Sequence, residues 1–516
     1  MRGLKNLMIL IGVCAVCLVC MVPLILNHGL WQGQEIWLLE VIRELHGVFP
    51  LVPELNGQIL SDQNPVNIIL LSLIPGDNIL VFRFVAILLG LIVAGSVFIF
   101  CLVLWNTWTA LWSSLFTATS YGFLITYSSL NVSAIPCTCS IVALMMFFTA
   151  YLKGVKPVWY IPSYIMVCLA TITGGWTMLA FVVFSVIFLI LIDLAPGRFL
   201  GIMPITGVFI FCVVLLGFYL VYRIAGGPSF VSGALSHGLD MGFFKSSWAL
   251  IKFGLPWFPL VIPAWAYEIK PDEDGAWKKL LPSKIALVVS LAILWFSQHC
   301  EPGYAVLAVP FIGILIGYWV ATGLKGVSRI LKVKRWAVIS AGLIILAAGV
   351  IAIICTDTDS SLYIKQGIAI GVLGSIAICL AWLIHRNRLA LAVFLEVLSV
   401  IVVCWAYSFI MLPAKDIVYN PEQYIKEISG LPLLVFEDDM YMRGYLGYVG
   451  ASPAIVSRDV VPFGNSFYLA VSTKDLGDLI KELKGRMDIG VKSSFKSNRV
   501  YALLAVTSKF KPGSGL

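Results

Sequence analysis

LVFRFVAILLGLIVAGSVFIFCLVLW, residues Leu80 to Trp105, is an apolar run carrying a single charge, Arg83. About 20 such residues carry an α-helix across a bilayer. Runs of the same kind lie on both sides. The candidate spans are Leu7–Leu26, Leu80–Trp105, Trp108–Tyr127, Cys137–Leu152, Pro157–Ile172, Trp176–Asp193, Gly201–Tyr222, Ser246–Ala266, Ile285–Ser297, Tyr304–Ala321, Trp336–Ile354, Gly367–Ile384 and Leu389–Met411. With no water in the bilayer core, backbone groups must bond within a segment or around a closed barrel. These runs are too long for barrel strands, so the expectation is a polytopic α-helical membrane protein of about 13 transmembrane helices.

Composition agrees. Hydrophobic residues make up 60% of the 516 residues and charged residues 12%, about half the usual share for a soluble chain. The mean hydropathy is +0.96. A net charge of +8 invites a nucleic-acid reading, but the basic residues fall between apolar runs and make no single patch. The 12 cysteines are not a disulfide framework, because most lie inside apolar runs and act as small hydrophobes. Cys137 and Cys139 form a C-x-C with no nearby His or second pair, so no metal site is expected there. The first run follows Arg2 and Lys5 like a signal peptide, but it lacks a clear cleavage site and reads as a retained first helix.

Charge also sets the orientation. With the N-terminus cytoplasmic, the inside loops hold about sixteen Lys and Arg, among them Lys153, Lys156, Lys278, Lys279, Arg329 and Arg386, against about six outside. An odd number of spans then puts the C-terminal segment outside. The expected division is a transmembrane domain over 1–411, with a first outer loop at 27–79, and an extracytoplasmic α/β domain over 412–516.

Two outside segments are long. In the first, WQGQEIWLLEVIRELHG places Ile36, Leu39, Ile42 and Leu45 at helical spacing and turns Glu35, Glu40, Arg43 and Glu44 elsewhere. That pattern predicts an amphipathic helix on the membrane surface or packed on the ends of the spans. In the second, LPLLVFED, SFYLAVS and RVYALLAV read as strands and LGDLIKELKG as a helix.

The acidic residues on the outer side are Glu35, Glu40, Glu44, Glu54, Asp62 and Asp77. A carboxylate near the bilayer surface can deprotonate an acceptor hydroxyl. Glu35, between Trp31 and Trp37, is the best placed, whereas Glu40 and Glu44 read as a solvated helix face. Arg83, at membrane depth, suits a lipid phosphate or snorkels to the interface. His299 and Glu301 in SQHCEPGY are weak metal evidence.

These segments bring a family into view. LWQGQEIWLLEVIRE, LNGQILSDQNP, FRFVAILLG, FGLPWFPLVIPA, SQHCEPGYAVLAVPFIGIL and YLGY, in that order, resemble segments of the GT-C glycosyltransferases, in particular the bacterial aminoarabinose transferase and protein mannosyltransferase group. The resemblance implies a GT-C-like membrane protein with a C-terminal outer domain in the bacterial cytoplasmic (inner) membrane. The activity it implies is transfer of a sugar from a polyprenyl-phosphate donor to a lipid or protein acceptor. Glu35 and Asp62 are then the catalytic candidates, and Arg83, Tyr304 and Gln63 the donor-binding ones. No organic cofactor is implied, and a divalent cation is left open. The family's catalytic Asp falls at Gln34, its phosphate-binding Lys at Gln63, a further Lys at Glu301, and a further Asp near Asn131 or Ser133. These departures carry the alternative: an inactive relative that serves as a binding or assembly subunit of a membrane complex. A transporter is the weakest reading, because no paired repeat is present.

Overall fold

The computed structural model describes residues 2–26, 33–45, 54–55, 58–59, 65–74, 78–193, 201–235, 243–266, 276–296, 302–323, 389–411, 433–436, 454–456, 467–472, 487–496 and 500–508. The predicted spans Trp336–Ile354 and Gly367–Ile384 lie outside them, as does the predicted helix LGDLIKELKG. The chain divides into two compact units. One is Met1–Asn27, Ser61–Asn67 and Leu80–Met411; the other is His28–Leu60, Ile68–Ile79 and Leu412–Leu516.

The first unit is helical. Its described helices are α1 (Arg2–Leu26), α4 (Ile79–Leu104), α5 (Thr107–Ala118), α6 (Tyr121–Tyr127), α7 (Ala134–Lys153), α8 (Ile161–Ile192), α9 (Pro204–Leu235), α10 (Phe243–Gly254), α11 (Phe258–Ala266), α12 (Ala276–Phe296), α13 (Val309–Gly323) and α14 (Leu389–Ala406). Short 3-10 turns at Pro157–Tyr160 and Pro302–Ala308 lead into α8 and α13, and a π turn at Tyr407–Met411 ends α14. Local chemistry sets the ends. Asn106 caps α5 by accepting from Thr109 N–H at 2.9 Å, and Gly154 ends α7 in the left-handed conformation at φ 59°.

By length and composition, seven described helices can cross a membrane, or eight if Ser247–Gly254 and Phe258–Trp265, bent by 95°, make one broken span. That reckoning treats Pro157–Ile192 as one crossing, whereas its contacts require two. The Tyr160 ring packs on Phe147 at 5.1 Å between centroids, and Asp193 accepts from Tyr151 at 2.8 Å. Phe147 and Tyr151 are one turn apart, yet a straight helix from 160 to 193 would span about 50 Å. The chain must therefore double back. Gly175 makes the turn at φ 72°, ψ −164°, a region open only to glycine. The arms 161–174 and 176–192 form a helical hairpin against α7, tied by Ser163 to the Ala143 carbonyl at 2.8 Å and by Ser140 to the Met178 sulfur at 3.3 Å. They match the two separate spans expected from sequence.

Helices α5 and α13 touch backbone to backbone. Gly313 and Gly317 of α13, four apart, face Ser113 and Thr117, and a Cβ on Gly317 would lie 2.4 Å from Ser113 N. This is the small-residue packing by which membrane helices approach closely. Three hydroxyls at the end of α5 and just beyond it are satisfied locally. Thr117 bonds the Ser113 carbonyl at 2.8 Å, Thr119 that of Leu115 at 2.6 Å and Ser120 that of Phe116 at 2.6 Å.

Helix α14 runs parallel to α1. Pro23 lacks an N–H, which frees the Val19 carbonyl four residues earlier. Trp405 fills that gap, donating to Val19 O at 2.9 Å, and Ser408 donates to Pro23 O.

The second unit holds α2 (Gly33–Leu45), a hairpin of β1 (Glu54–Leu55) and β2 (Gln58–Ile59), and a five-stranded sheet. Helix α3 (Pro65–Ser72) straddles the division. Leu55 pairs with Gln58, and the two residues between them are Asn56-Gly57, the dipeptide that two-residue hairpins favour. The sheet consists of β3 (Leu433–Phe436), β4 (Ala454–Val456), β5 (Phe467–Ser472), β6 (Met487–Lys496) and β7 (Val500–Ser508), in the order β4-β3-β5-β7-β6. β3 is parallel to β4 and β5; β7 is antiparallel to β5 and β6. Strands stand where LPLLVFED, SFYLAVS and RVYALLAV were expected.

Candidate functional site

Helix α1 leaves the N-terminal face of the first unit, and α4 returns to it. Asn6 and Thr107 meet at that face, with the Thr107 hydroxyl donating at 2.9 Å. Helices α5 and α6 then climb to the distal face, where α7 begins. Four segments lock together there. The α8 hairpin turn presses on α7: a Cβ on Gly174 would lie 2.4 Å from Pro136 Cβ. Under it lies Tyr304, buried, with its hydroxyl donating to Gly174 O at 3.3 Å. Next to Tyr304, Gly303 has no room for a side chain, since a Cβ would meet Ser133 Oγ at 2.3 Å. Ser133 donates through N–H and hydroxyl to Asn131 Oδ1 at 2.9 and 2.7 Å. Asn67 donates to Val132 O and is itself 1% exposed. Among the described residues the layer is uncharged. Asn131 and Ser133, where the resemblance would place an Asp, serve here to shape the turn before α7.

Arg83 lies elsewhere in the same unit. It is 1% exposed, in the first turns of α4, and donates from NH1 to Ile25 O at 3.2 Å. Ile25 is in the last turn of α1, whose carbonyls lack helical partners. Arg83 therefore places positive charge at the negative end of that helix. It does not snorkel, because it is buried among the helix ends.

Glu35 belongs to the second unit, in the first turn of α2, and is fully buried. So are its neighbours Trp37, Leu38, Leu39, Val41 and Ile42. A surface-lying amphipathic helix would expose one side; α2 is packed instead. Glu40, expected to be solvated, is 7% exposed and pairs with Arg43 at 3.1 Å. Glu44 is exposed as expected. Asp62, Gln63, Asp77, His299 and Glu301 lie outside the described residues, and Glu54 begins β1.

Sequence reasoning counted Lys252 only among the six outside cations and gave it no role in a site. It is an exposed cation on α10, with its ammonium 5.3 Å from the centre of the Tyr121 ring. A charge in the apolar run WALIKFG was the available signal.

No family model matches this chain, and no curated protein sequence matches it. Solved structures do. ArnT from Cupriavidus metallidurans bound to undecaprenyl phosphate superposes with a TM-score of 0.71 over 97% of both chains, at 17% identity. Its apo state gives 0.71 over 98% of both, at 15% identity. The chain has the fold of these structures. The archaeal oligosaccharyltransferase AglB from Archaeoglobus fulgidus, in complex with an inhibitory peptide and a dolichol-phosphate, aligns at 0.47 over 99% of this chain and 75% of that one, at 12% identity. With its long apolar helices and this fold, the chain is a multi-span membrane protein.

Proposed function

We propose that this protein is a membrane glycosyltransferase that moves a sugar from a polyprenyl-phosphate donor to a lipid or protein acceptor. The observation that carries the reading is the fold, shared end to end with a structure that holds undecaprenyl phosphate. The chain's own features support it. A groove of about 420 Å³ runs between the second arm of the α8 hairpin and α12, lined by Trp176, Phe184, Phe188, Val289, Ile293 and Phe296. From Trp176 to Phe188 it covers about 18 Å of helix, open to the bilayer and apolar enough for an isoprenoid chain.

In this reading the distal face is extracytoplasmic, the N-terminus is cytoplasmic, and the membrane is a bacterial cytoplasmic one. Glu35 is the base that takes the acceptor proton, with Asp62 as a second acid. Arg83 and Gln63 serve the donor phosphate. Tyr304, whose hydroxyl donates a hydrogen bond to Gly174 O, serves the donor site by holding the hairpin turn of α8.

The test is glycosyl transfer in reconstituted membranes with pooled polyprenyl-phosphate sugars, with wild type beside Glu35→Gln. Loss of a general base costs about 10²–10⁴-fold, so the variant should fall by at least a hundredfold. Equal rates in the two would remove Glu35 from the mechanism. A second reading rests on Gln34, Gln63 and Glu301, which lack the charges the resemblance assigns there. No transfer by intact wild type would favour that reading, a binding or assembly subunit.

A further inference from the structure

Lys252 sits in α10 inside an otherwise apolar run, and a charge at membrane depth is expensive unless something uses it. Contacts on either side fix its depth. Five residues earlier, Ser247 Oγ accepts from Trp295 Nε1 at 2.9 Å, near the distal end of α12. Three residues later, Leu255 O accepts from Tyr121 N–H at 2.8 Å. Tyr121 is about 21 Å of helix above Thr107, in the distal part of a hydrocarbon layer about 30 Å thick. The next residue, Phe253, is buried and meets Tyr121 edge-on at 6.3 Å, which stops α10 from rotating Lys252 away.

Two groups then share one spot. The Lys252 ammonium stands over the Tyr121 ring within cation–π range. No carboxylate pairs with Lys252 among the described residues. One turn earlier on the same exposed side, Trp248 is 63% exposed, an aromatic of the kind that anchors at a lipid interface. A cation, the phenol ring beneath it and an interfacial Trp, reached sideways from the bilayer, suit an anionic group carried on a lipid.

We propose that Lys252, held by Tyr121, binds the phosphate of the lipid carrier. The inference rests on the glycosyltransferase reading and adds a further cation to the groups that serve that phosphate, which is a diester in the donor and a monoester once the sugar has left. The ammonium gives charge-assisted hydrogen bonds to the phosphate oxygens, the strong class of such bonds. The Tyr121 ring holds the ammonium in place from below.

The experiment is a lipid titration of the full-length protein in nanodiscs, read by native mass spectrometry. The probes are a polyprenyl phosphate, the matching polyprenol and phosphatidic acid. Wild type should bind polyprenyl phosphate best. Lys252→Gln should weaken it at least about tenfold, Lys252→Arg should recover most of the loss, and polyprenol should bind all three alike. Unchanged binding of polyprenyl phosphate by Lys252→Gln would overturn the proposal and leave Lys252 a snorkelling cation. Equal, Lys252-dependent binding of phosphatidic acid would overturn the carrier as its ligand. If wild type bound no polyprenyl phosphate, the glycosyltransferase reading itself would fail.

Discussion

Replacing Gly317 by alanine tests the packing on which the first unit depends. The added Cβ would lie 2.2 Å from Ser113 Oγ, 2.4 Å from Ser113 N and 2.6 Å from Ser113 Cα. The hydroxyl can rotate away, but the backbone atoms cannot. To restore ordinary contact near 3.5 Å, α5 and α13 must separate by about 1 Å along this line. The same movement loosens Gly313, whose Cβ position is 2.8 Å from Ser113 O. Overpacking of this kind costs about 1–3 kcal/mol. For a chain of this size that lowers the melting temperature by roughly 1–3 °C. The assay is the fraction of detergent-solubilised protein that stays monodisperse after graded heating. Gly95→Ala is the control, since a Cβ there meets nothing within 4 Å. It should be neutral or stabilise by about 0.5–1 kcal/mol through helix propensity. If Gly317→Ala melted with or above Gly95→Ala, the backbone contact between α5 and α13 would be refuted.

Three further outcomes follow from the same geometry. Gly175→Ala should destabilise by about 1–3 kcal/mol, because φ 72°, ψ −164° is closed to a side chain; the same heating assay reads it, and a neutral result would mean the hairpin turn is not made there. Tyr304→Phe removes one buried hydrogen bond to Gly174 O and should cost about 0.5–1.5 kcal/mol without abolishing transfer. Trp405→Phe should be destabilising in wild type and less so beside Pro23→Ala, since alanine restores an N–H for Val19 O; additive effects in that double-mutant cycle would break the link between Pro23 and Trp405.

The spans were legible because hydropathy alone fixes which segments leave water, and the hairpin at Gly174–Gly175 was visible as a break between two short apolar runs. The state of α2 was not. Its pattern of Ile36, Leu39, Ile42 and Leu45 is the same whether the opposite side meets water or protein, so the burial of Glu35 and Glu40 had no sequence signal. Thr117, Thr119 and Ser120 satisfy carbonyls four residues back and so need no water. Tyr304 was read toward a phosphate because its segment resembles a donor-binding one; its bond to Gly174 depends on a hairpin 130 residues earlier in the chain. The junction of Asn67, Ser133, Gly303 and Gly174 draws on four distant segments, and no local pattern announces it.

Two interrupted spans meet at their interruptions, and this explains how the fold tolerates them. Ser120, extended at φ −74°, ψ 141°, separates α5 from α6, while Leu255 to Trp257 separate α10 from α11. Each break strands backbone groups at membrane depth, where every unmet group is costly. Here one supplies what the other lacks. Tyr121 N–H, the first of α6, goes to Leu255 O, beyond the end of α10, at 2.8 Å. Trp257 Nε1 goes to Thr119 Oγ1 at 3.0 Å, and both side chains are fully buried. Phe116 closes the junction with an edge contact to Trp257 at 4.7 Å. Irregular backbone survives within a membrane where protein surrounds it, and rigid surroundings are what a binding group needs if it is to be held in one place. Tyr121 takes part in that junction through its backbone while its ring faces Lys252. The bond that repairs the two broken helices is therefore also the one that positions the proposed phosphate site, so substitutions at Thr119 or Trp257 should loosen lipid-phosphate binding without touching the ligand.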